Sequence, residues 1–128
     1  MARSQRRSKR KYTGKKYKKF AKKRKADLSR PPIETHIGSE KKKKQRVMGG
    51  NMKVKLRATN LINVTDPSTH ETSKVKIVDF ESNPASKDLN RRHILTKGAI
   101  VDTELGRVRI TSRPGQHGVL NGILLETE

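Results

Sequence analysis

The chain has 128 residues, with 32 Lys and Arg against 12 Asp and Glu, a formal charge of +20, two Tyr, two Phe, no Trp and no Cys. That length suits one small domain with a small aliphatic core, and the lack of Cys excludes disulfides, thiolate zinc sites and cysteine nucleophiles, with a reducing interior as the default setting. Charge of one sign in this quantity repels itself unless a polyanion is near, so the partner belongs to the structure.

The charge is confined to one part of the chain. Residues 1–57 hold 23 Lys and Arg and three acids (Asp27, Glu34, Glu40), whereas residues 58–128 hold nine of each sign. We expect a basic arm over 1–32 and a β-barrel-like domain over 33–128 that includes a basic segment at 41–57. The arm, MARSQRRSKRKYTGKKYKKFAKKRKAD, places fourteen Lys and Arg before its first acid, Asp27. After Met1 its bulky apolar side chains are Tyr12, Tyr17 and Phe20, too few for a helical stripe, so the arm alone is expected to be disordered. Lys15 to Lys25 can turn helical once neutralised, Gly14 interrupts any longer helix, and Pro31-Pro32 ends whatever precedes it.

After the prolines a period of two appears. Ile33, Thr35 and Ile37 alternate with Glu34 and His36, and the lysines 41–44 lead through Arg46-Val47-Met48 to a Gly49-Gly50 turn. The clearest strand follows. Met52, Val54, Leu56 and Ala58 share one face, and Lys53, Lys55 and Arg57 the other. Asp66-Pro67-Ser68-Thr69 is a turn, alternation resumes from Lys74 to Phe80, and Asn83-Pro84 opens a loop or single helical turn. From His93 the chain reads as short β-branched strands cut by Gly98, Gly106, Pro114-Gly115 and Gly118. The fold class is therefore mainly β, a small barrel-like antiparallel domain with a long basic N-terminal extension.

Candidate catalytic groups are thin. The histidines at 36, 70, 93 and 117 lack metal-ligand spacing, so no metal and no cofactor is expected, and Gly14-Lys15 lacks the remainder of a phosphate loop. Asp102 and Glu104 share a strand face but stand beside Arg107 and Arg109, where charge pairing accounts for them. No small-molecule substrate is indicated and the chain is not read as an enzyme. No apolar run approaches the roughly 18 residues of a membrane span, and the start lacks the apolar stretch of a secretory signal, so the protein is expected to be soluble and not exported. Asn63-Val64-Thr65 is then a chance match to a glycosylation acceptor.

Polyanion binding explains what remains. A membrane-surface helix needs a bulky apolar face, which the arm lacks, and no DNA-reading helix or finger is visible, so folded RNA is the expected partner. Its phosphates would meet Arg3, Arg6, Arg7, Lys9, Arg10, Lys11, Lys15, Lys16, Lys18, Lys19, Lys22, Lys23, Arg24 and Lys25, with Tyr12 free to stack on an unpaired base. Lys41, Lys42, Lys43, Lys44, Lys53 and Lys55 continue the basic surface. Arg91, Arg92, Lys97 and Arg113 add a second set, with TKGA and SRPGQHG as contact loops in which glycine lets backbone approach phosphate.

The segments RRHILTKGAIVDTELGRVRITSRPGQHGVLNG, RVMGGNMKVKLRA and RRSKRKYTGKK together closely resemble the small-subunit ribosomal protein eight family of the archaeal and eukaryotic type, in its short archaeal-like form. The resemblance covers nearly the whole chain. It implies a barrel-like body with basic extensions on small-subunit ribosomal RNA, a cytoplasmic place in the ribosome beside other small-subunit proteins, and no catalysis. The RNA contacts it implies are Arg6, Arg7, Lys9, Arg10, Lys11, Gly14 and Lys15, then Arg46, Gly49, Gly50 and Asn51, then Arg91, Arg92, Lys97, Arg113 and Gln116. Two other readings compete with a ribosomal constituent. One is a free RNA chaperone or annealing protein; the other is a phosphoester-processing enzyme using His93, Asp102 and Glu104.

Overall fold

The computed structural model describes residues 7–18, 22, 24 and 27–125. The chain divides into two compact units, Met1–Pro32 and Ile33–Glu128. In the first, residues 9–17 double back as a small hairpin: Arg10 bridges Lys16, Lys11 N donates to Lys15 O at 2.8 Å, and Tyr17 N donates to Lys9 O at 2.9 Å. Gly14, at φ +83°, takes the left-handed position that such a turn requires. The stretch read as conditionally helical, Lys15 to Lys25, thus begins in extended backbone, and residues 19–21, 23, 25 and 26 lie outside the described residues.

The second unit is mainly β. It contains β1 (His36–Ile37), β2 (Lys41–Arg46), β3 (Met52–Thr59), β4 (Leu61–Thr65), β5 (Thr72–Ser82), β6 (Ile100–Thr103), β7 (Gly106–Ile110) and β8 (Asn121–Leu124). Two single-turn helices, α1 (Lys87–Arg91) and α2 (Pro114–His117), interrupt the strands. Strands β4 to β8 close a five-stranded barrel, and β1, β3 and β2 form a separate three-stranded sheet in that order.

Alternation explains which side chains point inward. Ile62 and Val64 of β4, Val75 and Ile77 of β5, Val101 of β6, and Val108 and Ile110 of β7 are all buried. They pack with Leu56, Phe80, Leu95, Ala99 and Leu120 into one core that contains a single aromatic ring. Strict alternation along β5 would turn Asp79 inward. A register shift against β6 between Ile77 and Asp79 leaves Val78 exposed and brings Phe80 into the core instead.

The barrel is not wholly antiparallel. Strand β8 pairs parallel to β4, with Asn63 opposite Asn121 and their side chains hydrogen-bonded at 2.9 Å. Gly122 is buried at this seam. A methyl group there would lie 2.4 Å from Val108 Cγ1 and 3.0 Å from Arg109 O of β7, and 3.2 Å from Ile62 Cδ1 of β4, so only glycine lets β8 fit between its two neighbours. The short strand β1 also pairs parallel, to β3.

The segment from His93 to Ala99 departs from the expected run of strands. Its ladder contact is one bridge between Leu95 and Thr35, and His93 sits at φ +50° after α1 with its ring stacked 5.0 Å from that of Phe80. Asn83, almost fully buried, holds this irregular stretch: its Nδ2 donates to Ile94 O and to Thr96 Oγ1, both at 2.8 Å, and its N–H bonds the Asn90 side chain. Asn83→Ala strands a buried carbonyl and is expected to cost about 1–3 kcal/mol in a urea-unfolding comparison with the wild type.

Candidate nucleic-acid interface

The basic segment at 41–57 folds as a two-stranded ribbon. In its register Lys43 faces Lys55, Gln45 faces Lys53, Lys42 faces Leu56, Lys44 faces Val54 and Arg46 faces Met52. Opposed residues share a face, so Lys43, Lys53, Lys55 and Arg57 lie together, as the alternation in β3 requires. Lys42, Lys44 and Arg46 instead flank the face on which Leu56 is buried and Val54 half-buried. The lysine run thus supplies both sides of the ribbon. Like charges directly opposed across a ladder, as at Lys43 and Lys55, destabilise the free protein and are relieved when a polyanion binds.

The ribbon turns through a 3-10 turn at Met48–Gly50, closed by Val47 N donating to Asn51 O at 2.8 Å. Gly49 and Gly50 both have positive φ, at +75° and +78°. Asn51 Nδ2 donates to Met48 O at 3.4 Å, so this asparagine helps to build the turn. Met48 itself is 93% exposed at the tip, a residue that sequence reasoning passed over because one Met beside a Gly pair carries no periodic signal.

Residues distant in sequence come together beside this ribbon. Helix α2 packs on β3, and Lys53 Nζ donates to Gln116 Oε1 at 3.0 Å. A methyl group on Gly118 would stand 2.8 Å from Val54 Cγ1, a measure of how closely the SRPGQHG loop seats. His117 Nδ1 accepts from Arg113 N at 3.3 Å and stiffens the loop, while the Arg113 side chain remains exposed. The GGN turn and the SRPGQHG loop therefore belong to one surface.

The other basic residues are separated by their partners. Arg92 is clamped by Glu34 Oε1 at 2.8 Å and Asp88 Oδ2 at 2.8 Å, and the Glu34 hydrogen bond, followed by that of Asp88, holds its guanidinium above its ordinary pKa. It joins α1 to the segment before β1, and its neighbour Arg91 is exposed. Lys42 pairs with Glu40, which pulls the Glu40 carboxyl below its usual value, first through the hydrogen bond and then through charge. Lys41, Lys43, Lys44, Arg46 and Lys97 are exposed, and Lys55 is half-buried.

In the arm, Arg7, Lys9, Arg10, Lys11, Lys15, Lys16, Lys18, Lys22 and Arg24 are exposed; Arg3, Arg6, Lys19, Lys23 and Lys25 lie outside the described residues. Arg10 Nη1 donates to Gly14 O at 2.9 Å and braces the hairpin. Tyr17 is covered by Arg7, whose guanidinium carbon stands 4.2 Å from the ring centroid, with Lys11 at 5.6 Å. Tyr12 is fully exposed.

The residues weighed for catalysis do not converge. His93 is stacked on Phe80, Asp102 stands opposite Arg107 and Asp79 in the ladders, and Arg107 Nη2 reaches Glu81 at 3.4 Å. Asp102 thus has the cross-strand arginine expected of it, and Arg107 also forms an ion pair with Glu81. Among the described residues no group of three His, Asp or Glu could hold a metal ion, and no helix is long and apolar enough to cross a membrane.

Comparison with known proteins gives a single answer. The chain is 53% identical over 114 residues to the small ribosomal subunit protein eS8 of Nanoarchaeum equitans, which covers 89% of this chain and 90% of that protein. It is 50% identical over 119 residues to eS8 of Methanococcus aeolicus, covering 92% and 93%, and 48% identical over 120 residues to eS8 of Methanospirillum hungatei, covering 94% and 96%. A profile of the family described as Ribosomal protein S8e matches residues 4–125. A match across nearly the whole chain, containing both the GGN turn and the SRPGQHG loop, means that the chain belongs to the ribosomal protein S8e family, of archaeal type.

Proposed function

We propose that the protein holds small-subunit ribosomal RNA in its folded shape through three sets of residues: the arm, the β2–β3 ribbon with its attached α2 loop, and the exposed cations of the barrel. Membership of the S8e family makes it a structural, non-enzymatic constituent of the small ribosomal subunit. The observation that carries the finer reading is the ribbon. Its Lys43–Lys55 opposition and the packing of α2 on β3 present cations at fixed spacing, a costly arrangement without phosphates to meet them.

Division of labour follows from rigidity. Ribbon cations on a paired ladder engage phosphates with little further ordering, whereas the long arm side chains lose rotamer freedom on binding and gain mainly by counterion release. Met48 and Tyr12, each exposed at the tip of a basic turn, are placed to lie against unpaired bases. Phosphate contacts are sequence-tolerant, so selection comes from RNA shape and from the fixed separation of the ribbon and α2 loop. Neighbouring small-subunit proteins complete its surroundings.

Sucrose-gradient sedimentation of a lysate at low and moderate salt, followed by protein–RNA crosslinking, tests this reading. The expected result is co-sedimentation with the small subunit that survives a moderate salt wash, with crosslinks from residues 7–18 and 41–57 to ribosomal RNA. Protein at the top of the gradient, crosslinked to many RNAs and easily washed off, would assign it instead to the free RNA chaperones.

A further inference from the structure

On the outer face of the barrel, Lys97, one of the exposed cations named above, lines a groove of about 570 Å³ together with Gly98, Arg109, Thr111, Ile123 and Leu125. Alternation explains its composition. Arg109 and Thr111 follow one another on the outward side of β7 and its extension, Ile123 and Leu125 on that of β8, and Arg109 stands opposite Ile123 in the ladder. An outward position in so basic a chain would ordinarily be polar, yet Ile123 is 44% exposed and Leu125 is beside it. The cations above this aliphatic floor are also distinctive. Arg107, on the same face of β7, is paired with Glu81, whereas among the described residues no carboxylate stands within ion-pair distance of Lys97 or Arg109.

We infer that this groove receives one unpaired nucleotide of the bound ribosomal RNA, its base on Ile123 and Leu125 and its phosphate between Lys97 and Arg109. The inference rests on the RNA-holding function proposed above and adds to it a site for a single base. The volume lies within the range of about 300–1,000 Å³ usual for small-ligand sites, and a flat base with an attached anion matches an apolar floor under two cations. Thr111 Oγ1 donates to Asn121 O at 3.2 Å and keeps lone pairs to accept from a base amino group or a ribose hydroxyl. Gly98 has φ +88° with open space where a side chain would stand, so the loop carrying Lys97 turns sharply without filling the groove.

The test uses the full chain assembled on small-subunit ribosomal RNA, comparing wild type with Ile123→Ser, with Lys97→Gln plus Arg109→Gln, and with Val78→Ser as an exposed aliphatic control outside the groove. Base-modification footprinting at single-nucleotide resolution is expected to show one unpaired base protected by wild type and Val78→Ser but exposed by both groove variants. Ile123→Ser should weaken binding about five- to tenfold with an unchanged salt slope, and the double variant should also lower the slope by about 0.7, one single-strand phosphate contact. If wild type binds RNA with a steep salt slope but both groove variants match it in footprint and affinity, the groove assignment fails while the RNA-holding function stands. If wild type itself shows no salt-dependent RNA binding, both fail. Crosslinks from the groove to a neighbouring protein in assembled subunits, with no nucleotide protected, would overturn the assignment in favour of a protein contact.

Discussion

A ribbon carrying Lys43→Gln, Lys44→Gln, Arg46→Gln and Lys55→Gln together is expected to bind small-subunit ribosomal RNA about a thousandfold more weakly near physiological salt. At about 0.9 per duplex phosphate contact, four lost contacts reduce the slope of log affinity against log salt by about 3 to 4. The free protein should respond in the opposite direction. Removing the like-charge opposition of Lys43 and Lys55 relieves a repulsion in the ladder, so the thermal midpoint should hold or rise slightly. Filter binding across a salt series and a melting curve measure the two effects separately. A variant that melts lower and binds with the wild-type slope would mean that these cations support the fold and leave the RNA to other residues.

Gly118→Ala is expected to have the largest effect on stability of any single substitution in the α2 loop, about 2–4 kcal/mol. Two penalties combine. The position has φ +71°, where an L side chain costs about 1–2 kcal/mol, and the new methyl would stand 2.8 Å from Val54 Cγ1 and 3.0 Å from Val54 O. For a domain of this size the thermal midpoint should fall by roughly 10 to 25 °C. Val54→Ala in the same chain removes the methyl contact but neither the backbone strain nor the carbonyl contact, so it should return part of the loss. Full recovery would show that the left-handed backbone costs nothing here; no recovery would show that the loop does not seat on β3 through this contact. With the loop displaced, Gln116 leaves Lys53, and RNA crosslinks from Arg113 should fall before those from the arm.

The ribbon was legible in outline because its signals are local. Alternation of Met52, Val54, Leu56 and Ala58 with Lys53, Lys55 and Arg57 placed a two-faced strand, and Gly49-Gly50 marked its turn. What local reading missed was the register: nothing in KKKK indicates that Lys43 faces Lys55 while Lys42 and Lys44 flank the buried side of β3. The phase change in β5 is similar. Lys74 to Phe80 reads as plain alternation, and the bulge at Val78 exists because the paired strand and the core together favour Phe80 inside over Asp79. His93 to Ala99 looked like strand from its β-branched residues, but its backbone groups are met by Asn83 and Thr35, which lie far enough away in sequence to leave no local trace.

Composition and order along the chain determined by themselves that the net charge resides in the first 57 residues, that the core is aliphatic and that the domain is mainly β. Each of these follows from residue counts or from a periodicity within one segment. Tertiary structure alone decided the parallel seam of β4 and β8, the seating of the SRPGQHG loop on β3, the capture of Arg92 by Glu34 and Asp88, and the groove between Lys97 and Arg109. Those depend on pairs distant in sequence, which meet only when the barrel closes. Closure is set by the summed packing of the core and by the absence of a side chain at Gly122, so no single segment encodes it.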